Sequence, residues 1–175
     1  MFLKEYVLTA GKEKQPVETH SACKGNLRFV PVDIACFSTW LKLNVHDGQQ
    51  RHTFQVFDVV KQGYWNREGG LWDIYLIFFE EQAIGTFTCS FYPGQPEILN
   101  FGGFLIDHNY QGKGFGCMAL QKLIQWVPRL YPERKQIVLD VDPRNRVAVR
   151  LYRKLGFRYR GWRPPFFRIY ERDLA

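Results

Sequence analysis

Apolar and polar residues alternate from Asn26 to Val32, with Leu27 and Phe29 on one side and Arg28 on the other. This period of two predicts a first strand, which Pro31 confines to an edge or an end. The period then lengthens. Ile34, Phe37, Leu41 and Val45 share one helical face, so a helix is expected over Ile34 to Val45. A second helix is expected within Phe54 to Gly63, ended by the loop tract Tyr64 to Gly70. Leu71 to Glu80 is strongly β-like, Glu80-Glu81-Gln82 is a hairpin turn, and Ala83 to Phe91 returns. Tyr92 to Pro96 turns again, and Ile98 to Ile106 is the next strand, with Gly102-Gly103 as a bulge or close backbone approach. Ala119, Leu120, Leu123, Ile124 and Val127 mark a helix expected to stop near Val127, because Pro128 disfavours continuation. Ile137 to Val141 reads as a buried strand. Asn145 to Leu155 reads as a helix closed by Gly156, and Phe157 to Trp162 with Phe167 to Tyr170 as a final strand pair. Residues 1–25 are polar and without clear period, an N-terminal arm holding at most one short strand over Tyr6 to Thr9. The order is a mixed α/β pattern around one central sheet.

Composition narrows the picture. A chain of 175 residues with 46% apolar and 17% aromatic residues suits one domain with a proper core and argues against disorder. Its longest apolar runs, Ile74 to Phe79 and Phe101 to Ile106, are too short to span a bilayer. The first residues lack a cationic start followed by an apolar stretch, so a cytoplasmic location without a membrane partner is expected. Cys23, Cys36, Cys89 and Cys117 form no Cys-x-x-Cys pair. Free thiols and no metal site are therefore expected.

The charge is uneven. Residues 1–99 hold 9 Lys+Arg and 11 Asp+Glu, whereas residues 100–175 hold 15 and 6. A basic second half fits a polyanionic ligand. A nucleic acid would also suit it, but the arginines from Arg144 to Arg160 partly follow helical spacing and suit a solvated face equally well.

The candidate chemistry sits in that half. Tyr110-Gln-Gly-Lys-Gly-Phe-Gly116 lies between an apolar strand and a helix. A glycine-rich turn there leaves backbone N–H groups pointing together at the positive end of the helix, a site suited to phosphate. Gly112, Gly114 and Gly116 let the chain approach a ligand and permit φ > 0. Cys117, at the helix start, is either an activated thiol or a small filler.

Gln111-Gly112-Lys113-Gly114-Phe115-Gly116 meets the pattern Gln/Arg-x-x-Gly-x-Gly/Ala, and Asn145-x(6)-Tyr152-x-x-x-Gly156-Phe157 follows about 30 residues later. With these motifs the chain resembles the GNAT superfamily of acetyl-CoA-dependent N-acetyltransferases, by motif over residues 98–160 and by element order over 26–97. The resemblance implies a single α/β domain over residues 26–175, with a mixed, mostly antiparallel central sheet flanked by helices. It implies that Phe104, Leu105 and Ile106 offer backbone groups to the acetyl and pantetheine portion of acetyl-CoA. Gly112, Lys113, Gly114, Phe115, Gly116 and Cys117 would then hold the pyrophosphate, Asn145 the pantetheine arm, and Tyr152 would be the catalytic proton donor to the departing thiolate. Gln111 and Lys113 either touch the ligand or serve the turn and the solvent. Asn145 also suits a helix N-cap, and Tyr152 also suits a core aromatic.

The acceptor implied is a small-molecule amine. Trp40-Leu-Lys-Leu-Asn-Val45 followed by Gln49 or Gln50 is similar to the first helix of spermine/spermidine acetyltransferases, which favours a polyamine. Many relatives are dimers, so a homodimer is compatible with the resemblance. The base that takes the amine proton is open among Glu97, Asp73, Asp107 and Asp140, or backbone carbonyls with water. Tyr64, Trp65 and Trp72 either contact an amine cation or pack a small core. Rival readings fit less well. A dinucleotide fold needs its third glycine at 117, not 116, and a phosphate-binding P-loop needs glycine at 107, where Asp stands. A non-catalytic acyl-CoA-binding module stays open, since a fold does not guarantee turnover.

Overall fold

A computed structural model describes residues 26–33, 35–44 and 71–174. The N-terminal arm, the helix within 54–63, the loop 64–70 and the side chains of Trp65 and Trp72 lie outside the described residues.

Among the described residues seven strands form one sheet in the order β1-β2-β3-β4-β5-β7-β6. They are β1 Leu27–Pro31, β2 Leu71–Phe79, β3 Gln82–Phe91, β4 Ile98–Ile106, β5 Gln136–Val141, β6 Arg158–Arg163 and β7 Phe167–Asp173. All neighbours pair antiparallel except β4 and β5. Pro31 ends β1, an edge strand, where its missing N–H costs no ladder bond.

Among the described residues three α-helices cover the sheet: α1 Phe37–Leu41, α2 Phe115–Leu130 and α3 Arg146–Lys154. α1 is shorter than the period suggested, and Ile34 and Val45 fall outside the described residues. Trp40 of α1 is buried on the side of the sheet away from α2, where its indole N–H donates to Thr86 Oγ1 at 3.1 Å.

The main core lies on the opposite side, under α2 and α3. Tyr75 and Phe87 stack at 5.1 Å, and Trp126 of α2 meets both rings edge-on. Leu120 and Leu123 of α2 are fully buried in the same cluster. Truncating Leu120 to alanine is expected to lower stability by about 2–5 kcal/mol, read by chemical denaturation.

α2 runs past the expected stop at Val127 and contains Pro128. Pro128 forfeits only its own hydrogen bond in the last turn, and the turn still closes because Tyr131 N–H donates to Val127 O at 2.8 Å. Leu130 and Tyr131 pack on the core and hold the extension in place.

Candidate active site

The site starts from a parting of two strands. β4 and β5 pair only from Ile98↔Gln136 to Phe101↔Leu139, yet β4 continues to Ile106 and β5 to Val141. Beyond Phe101 the edge of β4 that faced β5 has no strand beside it among the described residues. A bulge between Thr86 and Thr88 on β3 and their β4 partners, with Gly103 at φ +54°, bends β4 where the parting begins. Thr88 fills the space behind it: a Cβ on Gly103 would come 3.1 Å from its methyl.

The glycine turn sits at the open end of β4. Asp107 accepts from Asn109 N–H and Asn109 Nδ2, each at 3.0 Å, and from Asn44 N–H at 2.9 Å. It thereby caps a short 3₁₀ turn, His108–Tyr110, and ties it to α1's exit. Gln111 Nε2 donates to Ile106 O at 2.8 Å and locks the loop to the strand end. Gly112 and Gly114 have φ of +74° and +87°, and a Cβ on either would meet nothing within 4 Å. Gly114 is the N-cap of α2, and its carbonyl accepts from Cys117 and Met118. Among the described residues no acceptor takes the N–H groups of Gly112, Lys113, Gly114, Phe115 and Gly116. The result is an exposed arc of five amides at the positive end of a 16-residue helix, open to an anion. The amide of Cys117 is already used in the cap, and its thiol is free and half-buried.

The side chains of this segment turn away from the arc. Phe115 packs on Phe79 at 4.8 Å and Tyr110 at 5.9 Å. Lys113 Nζ donates to Asn109 O at 2.8 Å and lies over the Tyr110 ring. A Cβ on Gly116 would lie 3.5 to 3.9 Å from Leu151, Ile106 and Phe104. Gly116 thus marks where α2, α3 and β4 converge.

α3 contributes the other two candidates. Asp142 is buried, holds Arg144 through Nε and Nη2, and shapes the turn that follows β5. Asn145 caps α3, its Oδ1 accepting from Ala148 N–H at 3.1 Å. Its Nδ2 has no acceptor among the described residues. Tyr152 is buried beside Leu151, its ring 5.8 Å from Phe157. Burial pushes its phenol above the ordinary tyrosine range, which keeps it protonated at neutral pH. Among the described residues its hydroxyl has no hydrogen-bond partner.

Cap and ligand contact at Asn145 are separable. Asn145→Asp keeps the capping oxygen and removes the Nδ2 donor, so it is expected to retain the melting temperature and weaken acetyl-CoA binding. Asn145→Ala is expected to cost about 1 kcal/mol of stability as well.

Three of the four carboxylates weighed as a base are committed elsewhere. Asp107 caps the 3₁₀ turn, Glu97 is exposed and paired with Lys135, and Asp73 accepts from Tyr131 at 2.5 Å. Asp140 differs. It is the first β5 residue past the last β4–β5 pair, on the face opposite Leu139 and the main core. Burial raises its carboxyl above the usual range, and Arg163 at 2.5 Å partly offsets this. The same face carries buried Thr88 and Ser90, and Asn100, whose Nδ2 is buried without a partner among the described residues. The alternation of Thr86, Thr88 and Ser90 with Phe87, Cys89 and Phe91 was the available signal for this polar row.

Among the described residues no group of His, Cys, Asp and Glu is placed to hold a metal, and no helix is long and apolar enough to cross a membrane.

Comparison with known proteins agrees with this geometry. Over 90 residues, 49% of the chain, it is 34% identical to a spermine/spermidine N(1)-acetyltransferase of Bacillus subtilis (strain 168). The match is the same to a probable spermine N(1)-acetyltransferase of Bacillus subtilis subsp. natto (strain BEST195). The matched region spans 59% of the length of these curated relatives. Among solved structures, spermidine N-acetyltransferase from Vibrio cholerae in complex with CoA and spermine superposes with TM-score 0.64 at 14% identity, covering 85% of this chain and 95% of that one. A domain from Methanocaldococcus jannaschii DSM 2661 gives TM-score 0.64 at 15% identity over 86% and 99%. An acetyl transferase from Salmonella typhimurium that modifies the N-terminal serine of ribosomal protein L7/L12 gives 0.59 at 16% over 85% and 95%. These likenesses show a shared fold. The model of the acetyltransferase (GNAT) family matches residues 37–157, well over half of the chain, and with the parted strands and the glycine turn already in place the chain belongs to that family.

Proposed function

We propose that the chain is an N-acetyltransferase that moves the acetyl group of acetyl-CoA to a primary amine, with a polyamine as the favoured acceptor, by direct attack in a ternary complex. The observation that carries this reading is the arc of five unpartnered amides, Gly112 to Gly116, set at the mouth of the gap between β4 and β5. The open space at Gly112 and Gly114 fits a pyrophosphate, and the β4 edge over Phe104, Leu105 and Ile106, where Gln111 takes the Ile106 carbonyl, fits the amide-bearing arm of coenzyme A. When bound, acetyl-CoA supplies an acetyl group activated as a thioester.

The chain's own residues do the rest. Backbone N–H groups along the β4 edge are fixed dipoles able to stabilise charge that develops on a carbonyl oxygen. Tyr152 is protonated at neutral pH, and its Oη is the proton donor proposed for the departing thiolate. On the opposite face Asp140 is placed to receive a proton from an ammonium group, directly or through water, and Asn100 to orient it. A polyamine as acceptor is supported by the names of the relatives with 34% identity.

The test is release of free thiol from acetyl-CoA over a panel of amines, with product masses. Acetylated spermine or spermidine supports the reading, acetylation of other amines only moves the acceptor, and heat of binding without thiol makes the chain a binder. Asp140→Asn is expected to lower kcat by about 10–10²-fold. In the parent, kcat should fall as pH drops through the raised carboxyl value, because a protonated Asp140 accepts nothing. An unchanged acid limb in the variant removes Asp140 from the proton path.

A further inference from the structure

A second concavity lies on the far side of α3. Leu151 faces Gly116 and the glycine turn, and Arg153, two positions on, projects from the opposite side of the helix. There Arg153, Arg158, Arg168, Tyr159 and Trp162 surround an open cavity of about 560 Å³. Its floor is apolar, made by the buried rings of Phe157 and Tyr170. The volume is that of a small-ligand pocket.

The walls define the ligand. Three arginines line the cavity, and one is matched: Arg158 pairs with Asp173 at 2.7 Å. Arg153 and Arg168 have no carboxylate partner among the described residues. Arg168 lies 5.2 Å over the Trp162 ring, yet Trp162 remains 56% exposed and Tyr159 50%. Two arginines without a carboxylate partner on one cavity suit an anion, and phosphate is the anion their planar forks fit. A bare phosphate would leave two large rings in water, whereas a flat heterocycle stacks on them. We propose that this cavity binds a nucleoside phosphate, its phosphates on Arg153 and Arg168 and its base against Trp162 and Tyr159. The proposal does not depend on the acetyl-transfer reading.

The test titrates the full chain, as the parent and as Gly114→Val so that binding at the glycine turn is told apart, with ATP, inorganic triphosphate, adenosine and a short single-stranded RNA. Tryptophan fluorescence and heat are followed together. ATP is expected to bind saturably with one equivalent per chain, and triphosphate and adenosine about tenfold or more weaker, because each lacks half of the contacts. Arg153→Gln with Arg168→Gln should weaken ATP by about 10²-fold at an unchanged melting temperature. Trp162→Phe should abolish the fluorescence change and keep the heat. If the double variant does not fold, Tyr159→Ala with Trp162→Ala provides the same comparison through the base. Absence of saturable ATP binding, triphosphate as tight as ATP, equal affinity in a folded double variant, or RNA tighter than ATP each overturns the proposal.

Discussion

Tyr152→Phe is expected to lower turnover by about 10–10³-fold while acetyl-CoA affinity stays within about twofold, the signature of a lost proton donor. The substitution removes one oxygen and leaves the ring that packs on Phe157. That hydroxyl has no partner among the described residues, so its loss strands nothing and stability should change little. Stopped-flow thiol release and calorimetric binding of coenzyme A separate the two quantities. Equal turnover in the variant would assign Tyr152 to packing alone.

Gly114→Val is expected to abolish acetyl-CoA binding, a loss of about 10²-fold or more in affinity, for a reason that the open surroundings make specific. A Cβ at this position meets nothing within 4 Å, so the chain itself does not clash. The cost is conformational: φ is +87°, which a β-branched residue strongly disfavours. Relieving that strain rotates the N-cap of α2 and scatters the arc of amides from Gly112 to Gly116. Gly112→Ala, with φ +74° and the same open space, should show a milder form of the same effect. A Gly114→Val variant that binds coenzyme A normally would separate the glycine turn from cofactor recognition.

The strand pattern was legible because short apolar or alternating runs are bounded by turn residues, and β4 was bounded correctly at Ile98 and Ile106. The cap of α3 was equally plain: Asn145 opens it, and Gly156 follows it at φ +81°. Pro128 misled, because its cost is one bond and the packing of Leu130 and Tyr131 outweighs it. The parting of β4 from β5 was not legible, since the register of a parallel pair is set through a crossover of about 30 residues and leaves no local mark. For the same reason Asp140 did not stand out from Asp73 or Asp107. Asp107 did carry a local clue, because Asp-x-Asn ahead of a turn is a capping arrangement that occupies the carboxylate.

The brevity of the β4–β5 seam has a consequence for the protein as a material. Four rungs stitch the β1–β4 leaf to the β5–β7 leaf, and past them the two are spread like an open book. In the proposed reading, a ligand whose amides lie along β4 acts there as a surrogate strand, which makes coenzyme A binding partly a folding event, and the melting temperature should climb with its concentration. Amide exchange along the upper half of β4 should slow in step, leaving the hinge of the book stiff only while it is being read.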